Sequence, residues 1–192
     1  MQSIILSRRD FKENDQIISL YTFEHGKVEA LARGVKKILS KNSAALEPFC
    51  FVEAEIIPGK KDLAYLGSVT PINIFKNIRA DLAKSLMAGY VVKLLDKLIH
   101  PNEPDKRIFE LLKSWLAWSD IRGCHPERSE GSTSAVEAFV AKLLYILGFS
   151  ADNIFVKKSW EEIAKMSFDK KVHDKIYHDL VFNTEVKIKD WA

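Results

Sequence analysis

Two hydrophobic periods divide this chain. From Met1 to about Pro71, apolar and polar positions fall into short runs and alternations; from about Asn77 onward they recur at helical spacing. Ser3–Arg8 is short and apolar, and Asp10–Asn14 (DFKEN) is a polar turn. Asp15–Thr22 is β-branched and aromatic-rich, and Glu24-His25-Gly26-Lys27 is a tight connection with Gly26 placed to take a positive φ. Val28–Arg33 alternates, with Val28, Ala30 and Ala32 on one face and Glu29, Leu31 and Arg33 on the other. Phe49–Ile57 is the longest strand-like run, Pro58–Asp62 a strong turn signal, and Leu63–Val69 a fifth strand. Five short strands so closely spaced predict a small closed barrel of the OB type, with the SH3-like barrel as the competitor that strand count alone does not exclude.

The later part reads as helices. Asp81–His100 carries Leu82, Leu86, Tyr90, Leu94 and Leu98 at steps of four, and Asn102-Glu103-Pro104 separates it from the next helix. Lys106–Trp118 is amphipathic through Ile108, Leu111, Leu112, Trp115 and Leu116. Ser134–Leu147 is a third helix with Gly148 as its C′ glycine, and helix formers recur at Trp160–Met166 and Lys171–Val181. Arg122–Thr133 (RGCHPERSEGST) is polar, Gly/Pro/Ser-rich and aperiodic, and reads as a mobile loop. Its CHPERSEGS string is similar to translated interspersed genomic repeats, as an insertion within a loop would be. The predicted class is α+β: a five-stranded OB-fold barrel over residues 1–76, then an all-α helical domain over 77–192 with a mobile loop at 122–133.

Composition narrows the function. With 47% apolar and 29% charged residues in 192, the chain is an ordinary globular one, not a disordered one. The net charge is only +3, so any strong electrostatic role must come from a local patch. Residues 1–76 hold 11 Lys/Arg against 9 Asp/Glu, with the acids mostly in predicted strands or turns and the bases crowding the loops. From Arg33 to Lys41 there are four cations (Arg33, Lys36, Lys37 and Lys41) and no acid. Arg33 can meet a phosphate bidentately and the lysines as point charges, each contact releasing counterions. A solvated basic loop without a ligand is the plainer alternative. Lys60 and Lys61 would extend the same face, and Arg8, Arg9 and Lys27 are further candidates. One of each strand pair should point inward or pair with Asp10 or Asp15. Phe11, Tyr21 and Phe23 lie near the basic segments and could stack bases, though burial competes for each; Phe49 and Phe51 read as core.

Enzymatic signatures are weak. Cys124-His125 sits in the predicted loop without a supporting third group, His173 and His178 are five apart, and there is no Walker or GxGxxG sequence. Two cysteines are too few for a disulfide framework, and Cys50 reads as a small buried hydrophobe. The N-terminal charges follow the apolar residues, unlike a secretory leader, and no run approaches the ~18 apolar residues of a membrane span. A non-enzymatic protein of a reducing cytoplasm, without cofactor or membrane, is expected.

Taken together, Leu6, Arg9, Asp10, Thr22, Gly26, Lys27, Ala32, Arg33, Gly34, Leu46 and Pro48 form an ordered pattern. With the helical ADLAKSLMAGYVVKLLDKLI, Glu103-Pro104 and LLYILGF, it resembles the RecO family of recombination mediators over about residues 3–150. The resemblance implies an OB domain on a helical domain, binding of single- and double-stranded DNA, annealing of complementary strands, and a nucleoid-associated location. It implies as partners RecR and single-stranded-DNA-binding protein (SSB), and help in loading RecA onto SSB-coated strands. On that reading the nucleic-acid contacts are Arg9, Lys27, Arg33, Lys36, Lys37, Lys41, Lys60 and Lys61. It also implies a hydrophobic groove on the helical domain for the SSB C-terminal tail; Lys142, Lys157 and Lys158 match no motif for its rim, and core packing or solvation is the plainer reading of each. Many members carry a four-cysteine zinc module after the LGF segment; here no cysteine follows Cys124, so no zinc is expected. An adaptor barrel binding a protein partner and an RNA-binding barrel are the alternatives.

Overall fold

The computed structural model describes residues 1–36, 43–59, 64–121, 129–150, 154–166 and 168–184. Five strands, β1 (Gln2–Phe11), β2 (Asp15–Thr22), β3 (Gly26–Ala32), β4 (Phe51–Ile57) and β5 (Ala64–Asn73), close into a barrel in the order β1-β2-β3-β5-β4. β1 meets β4 antiparallel at Ser3↔Val52, and β3 meets β5 in parallel at Ala30↔Ala64 and Leu31↔Tyr65. This closed five-strand order is that of the OB fold.

Alternation fills the interior. Ile5, Ile18, Leu20, Ala30, Ala32, Val52, Ala54 and Val69 form the core, which places Ile17, Ser19, Tyr21 and Leu31 on the outer face. β1 runs past the expected Arg8 because Arg9, Asp10 and Phe11 go on pairing with Ile17, Gln16 and Asp15. A strand with one solvated side tolerates such charges, and the turn shrinks to Lys12–Asn14, with Lys12 at φ 60. β5 likewise outlasts the expected Val69, since Pro71 and Asn73 pair with Val52 and Phe51.

The helices are α1 (Lys76–Ala80), α2 (Leu82–Leu98), α3 (Lys106–Ile121), α4 (Ser129–Ile146), α5 (Trp160–Ile163) and α6 (Lys170–Thr184). The chain forms two compact units, Met1–Asp120 and Ile121–Ala192.

In the first unit, α2 buries only the later part of the stripe expected from its spacing. Its buried positions include Ala88, Val91, Val92 and Leu95, whereas Leu82 and Leu86 are 76% and 66% exposed. Steps of four overshoot the 3.6-residue turn by about 40° each. The stripe therefore winds from exposed Leu82 and Leu86 onto the packed face, which it reaches at buried Leu94. α3 buries Ile108, Leu112, Trp115 and Leu116 as expected, and adds Phe109. Phe109 stacks with Tyr21 at 6.4 Å between ring centroids and meets Phe23 and Phe51 edge-on at 5.3 and 6.2 Å. These outer-face aromatics of the barrel are thus packed against α3.

In the second unit, α4 begins at Ser129, so residues 129–133 are helical where a loop was expected; 122–128 lie outside the described residues. The buried run Ala135–Val140 anchors that helix, and propagation from a formed turn costs little, so it extends into sequence of poor intrinsic signal. Gly148, at φ 79, closes it, with Phe149 N–H donating to Leu144 O at 2.8 Å. α5 opens on a capping box between Ser159 and Glu162. Ile163, Ile176 and Leu180 are buried with the α4 face.

Candidate nucleic-acid interface

Strand register builds one continuous row across the outside of the barrel. Arg9 on β1 pairs with Ile17 on β2, Ile17 with Leu31 on β3, Leu31 with Tyr65 on β5, and Tyr65 with Ile57 on β4. Arg33 follows Leu31 by two residues and shares its face. Its guanidinium lies over the Tyr65 ring, 4.5 Å from the centroid. Ile17 and Leu31 are buried, so the row presents Arg9 at one end and the half-buried Tyr65 beneath Arg33 at the other, an aromatic ring beside cations as strand binding needs.

The cations of this region are largely counterbalanced. Arg9 pairs with Glu29 at 2.9 Å, Arg8 with Glu47 at 2.7 Å, and Lys36 with Asp10 at 2.9 Å. Asp10 also accepts from Gln16 at 3.0 Å, and the Gln16 bond together with Lys36 holds its carboxyl below the ordinary aspartate value. The turn after β3 is held by Gly34, at φ 66, whose N–H donates to Asp15 Oδ1 at 2.9 Å, and by Lys36 N–H to Asn14 O at 3.2 Å. Such exposed pairs are weak, so phosphate can displace the carboxylates at small cost. Arg33 is exposed and enters no ion pair among the described residues. Lys37, Lys41, Lys60 and Lys61 lie outside the described residues.

Lys27 occupies a different environment. Its side chain is 14% exposed and its ammonium sits 3.0 Å from Asp96 Oδ1 on α2, also donating to the Asp96 backbone carbonyl. The same carboxylate accepts from Ser19 and Ser7, each at 2.6 Å, two residues that face each other across β1 and β2. Burial alone would raise the Asp96 pKa; the two hydroxyls and Lys27 outweigh it and hold the carboxyl below its usual value. Nearby, Asn102 N–H donates to Lys27 O at 2.9 Å, and Tyr21 Oη exchanges bonds with the backbone of Asp105 at 3.1 and 3.2 Å. Gly26, at φ 69, lies so close to residues 103–104 that a Cβ would stand 2.3 Å from Glu103 O. Lys27 therefore ties the β2–β3 hairpin to α2 and Gly26 seats it against the segment before α3, while Thr22 closes the turn itself by donating to Gly26 O and accepting from His25 N–H. The pairing of Lys27 with Asp96, rather than with Asp10 or Asp15, has no local sequence signal, because the partners are far apart in the chain.

The aromatic candidates separate in the same way. Tyr21, Phe23 and Phe51 pack on Phe109, Phe49 lies beneath the Arg79 guanidinium at 4.4 Å, and Phe11 stays half-buried near Lys12. Tyr65 was missed by sequence reasoning. The alternation of Ala64 and Leu66 toward the core signals that it faces outward. Cys50 is buried in the barrel core, where desolvation raises its thiol pKa despite the Arg79 guanidinium 3.0 Å away.

In the second unit Lys142 is buried, donating to Lys158 O at 2.7 Å with its ammonium 4.3 Å from the Trp160 ring centroid. Burial pulls its pKa down, with Glu162 opposing. It packs the unit rather than edging a groove, whereas Lys157 is exposed and Lys158 half-buried. His173 bonds Glu137 at 2.6 Å. Among the described residues no three His, Cys, Asp or Glu side chains converge as metal ligands, and no helix is long and apolar enough to cross a membrane.

Comparison with known proteins places these features in a family. The family model described as "Recombination protein O N terminal" matches residues 1–75, and "Recombination protein O C terminal" matches residues 79–153. The chain is 36% identical over 148 residues to a protein of Geobacter sulfurreducens named "DNA repair protein RecO", a match covering 77% of this chain and 58% of that one. It is 32% identical over 148 residues to the protein so named from Geobacter metallireducens, covering 77% and 57%. The one so named from Desulforamulus reducens is 31% identical over 152 residues, covering 79% and 56%. The chain thus spans little more than half the length of these curated relatives.

Proposed function

Since the chain belongs to the RecO family, we propose that it is a non-enzymatic DNA repair protein that binds single- and double-stranded DNA and anneals complementary strands. The observation that carries this reading is the exposed Arg33 guanidinium laid over the half-buried Tyr65 ring, with exposed Lys36 in the same turn. A surface that holds two polyanions by their phosphates lowers their mutual repulsion and leaves base edges free to pair. Arg33 and Lys36 supply the contacts, with Arg9, Lys37, Lys41, Lys60 and Lys61 as further cations; Lys27 serves the fold. Residues 1–76 act as the nucleic-acid-binding part and 77–192 as the part that meets proteins, a division supported by the junction of the two family matches. RecR, the SSB C-terminal tail and, through them, RecA are the partners this reading assigns. Its site of action is the cytoplasmic nucleoid, and it needs no zinc.

Oligonucleotide binding across salt concentrations tests it, together with annealing of SSB-coated complementary strands. Lys36→Glu combined with Lys37→Glu is expected to weaken single-strand binding, to slow annealing and to flatten the salt dependence. Each lost phosphate contact should lower the slope of log K against log salt by about 0.7. Unchanged binding and annealing in the double variant would reject the basic turn as the site. No binding by the wild type even at low salt would favour a protein-binding adaptor, and a preference for RNA over DNA of one sequence would favour the RNA-binding barrel.

A further inference from the structure

The structure assigns to Tyr65 and Arg33 a role that charge does not supply: we propose that they form a nucleobase-stacking platform, so that this face discriminates unpaired strands from duplex. The inference rests on the reading of the barrel as a DNA-binding surface and adds what part of the DNA it engages.

Three observations carry it. Ala64 and Leu66 pack toward the barrel core, so Tyr65 between them faces outward, in register with Leu31 and Ile57 and only partly buried. The Arg33 guanidinium lies 4.5 Å from its ring centroid, a planar cation laid over an aromatic ring. Most other aromatics of the described barrel are occupied, with Tyr21, Phe23 and Phe51 against Phe109 and Phe49 beneath Arg79.

A base needs a flat, weakly hydrated face to stack on, and both an aromatic ring and a guanidinium provide one. Arg33, exposed and without an ion pair among the described residues, can accept a base on its outer plane while its N–H edge reaches the adjacent phosphate. In a duplex the base faces are already stacked on their neighbours, so only phosphates remain for this surface. Lys36, a few residues on, offers charge without a plane and serves both forms alike.

The test compares the intact chain binding to a thymine oligonucleotide and to an abasic oligonucleotide of equal length, by fluorescence anisotropy at several salt concentrations. Wild type is expected to bind the base-bearing strand about 5- to 150-fold more tightly, the range that ~1–3 kcal/mol of stacking per base corresponds to. Tyr65→Leu should remove most of that preference while leaving abasic affinity and the salt slope unchanged. Arg33→Lys, which keeps the charge at an exposed position but loses the plane, should also reduce the preference at an unchanged slope. It decides the matter if the Tyr65 variant does not fold. A retained wild-type preference in folded Tyr65→Leu, or in Arg33→Lys should the first not fold, overturns the platform; so does an equal loss on both strands. Wild type that binds neither strand at low salt overturns the DNA reading itself, a separate and recognisable outcome.

Discussion

Asp96 is the residue on which the barrel and its first long helix depend. One carboxylate takes two serine hydroxyls from adjacent strands and the Lys27 ammonium, with only 23% of its side chain exposed and 14% of its partner's. Substituting Asp96→Ala strands a mostly buried lysine and two hydroxyls, and should cost about 2–4 kcal/mol in urea unfolding at neutral pH. The pH dependence follows from the lowered pKa. A carboxyl whose folded value lies below its unfolded one contributes fully above the ordinary 3.8 and loses that contribution as pH falls through the folded value. Acidification through this range should therefore destabilise wild type more than Asp96→Asn, and equal acid sensitivity of the two would show that the carboxylate contributes nothing. The same accounting explains why Lys27 differs from Arg33. Both are cations of one strand region, but one is neutralised inside the fold and the other is laid over an outer-face ring.

At the scale of elements, the covering of the barrel decides which of its faces remains open. α2 and α3 take the outer side of β1, β2 and β4 through Asp96, Tyr21 and Phe51, whereas Tyr65 on β5 is half-buried beneath the exposed Arg33. Phe109→Ala empties the site on which three barrel rings converge, so a loss of about 3–5 kcal/mol is expected in denaturant unfolding. Leu82→Ser with Leu86→Ser removes the two most regular leucines of α2. Because both side chains are mostly exposed, stability should stay within about 0.5 kcal/mol per site. A large loss there would mean that the stripe is buried after all.

For the whole molecule, the compact units and the sequence periods cut the chain in different places. Strand periodicity ends near Pro71, yet the first unit runs to Asp120, where α3 packs Phe109 on the barrel's outer aromatics and α2 bonds the strands through Asp96. A chain ended at Asp120 should unfold in one cooperative transition by circular dichroism. A chain ended at Lys76 would expose Tyr21, Phe23 and Phe51 and is expected to aggregate or unfold without a sharp transition. Cooperative unfolding of the shorter chain would place the folding boundary at the end of the barrel.

The amino-acid sequence alone determined the number of strands, the shared face of Ala30 and Ala32 in the third, and the buried face of α3. It also determined that an acid-free basic segment begins at Arg33. All of these are local signals, set by alternation, turn chemistry or helical period within a few residues. Tertiary structure alone decided that Lys27 belongs to Asp96, that Gly26 must admit the backbone of residues 103–104, and that Tyr21 and Phe51 are covered while Tyr65 is not. Those outcomes depend on which distant segment lands against a strand's outer face. That is settled by packing across the fold, and no window of neighbouring residues encodes it.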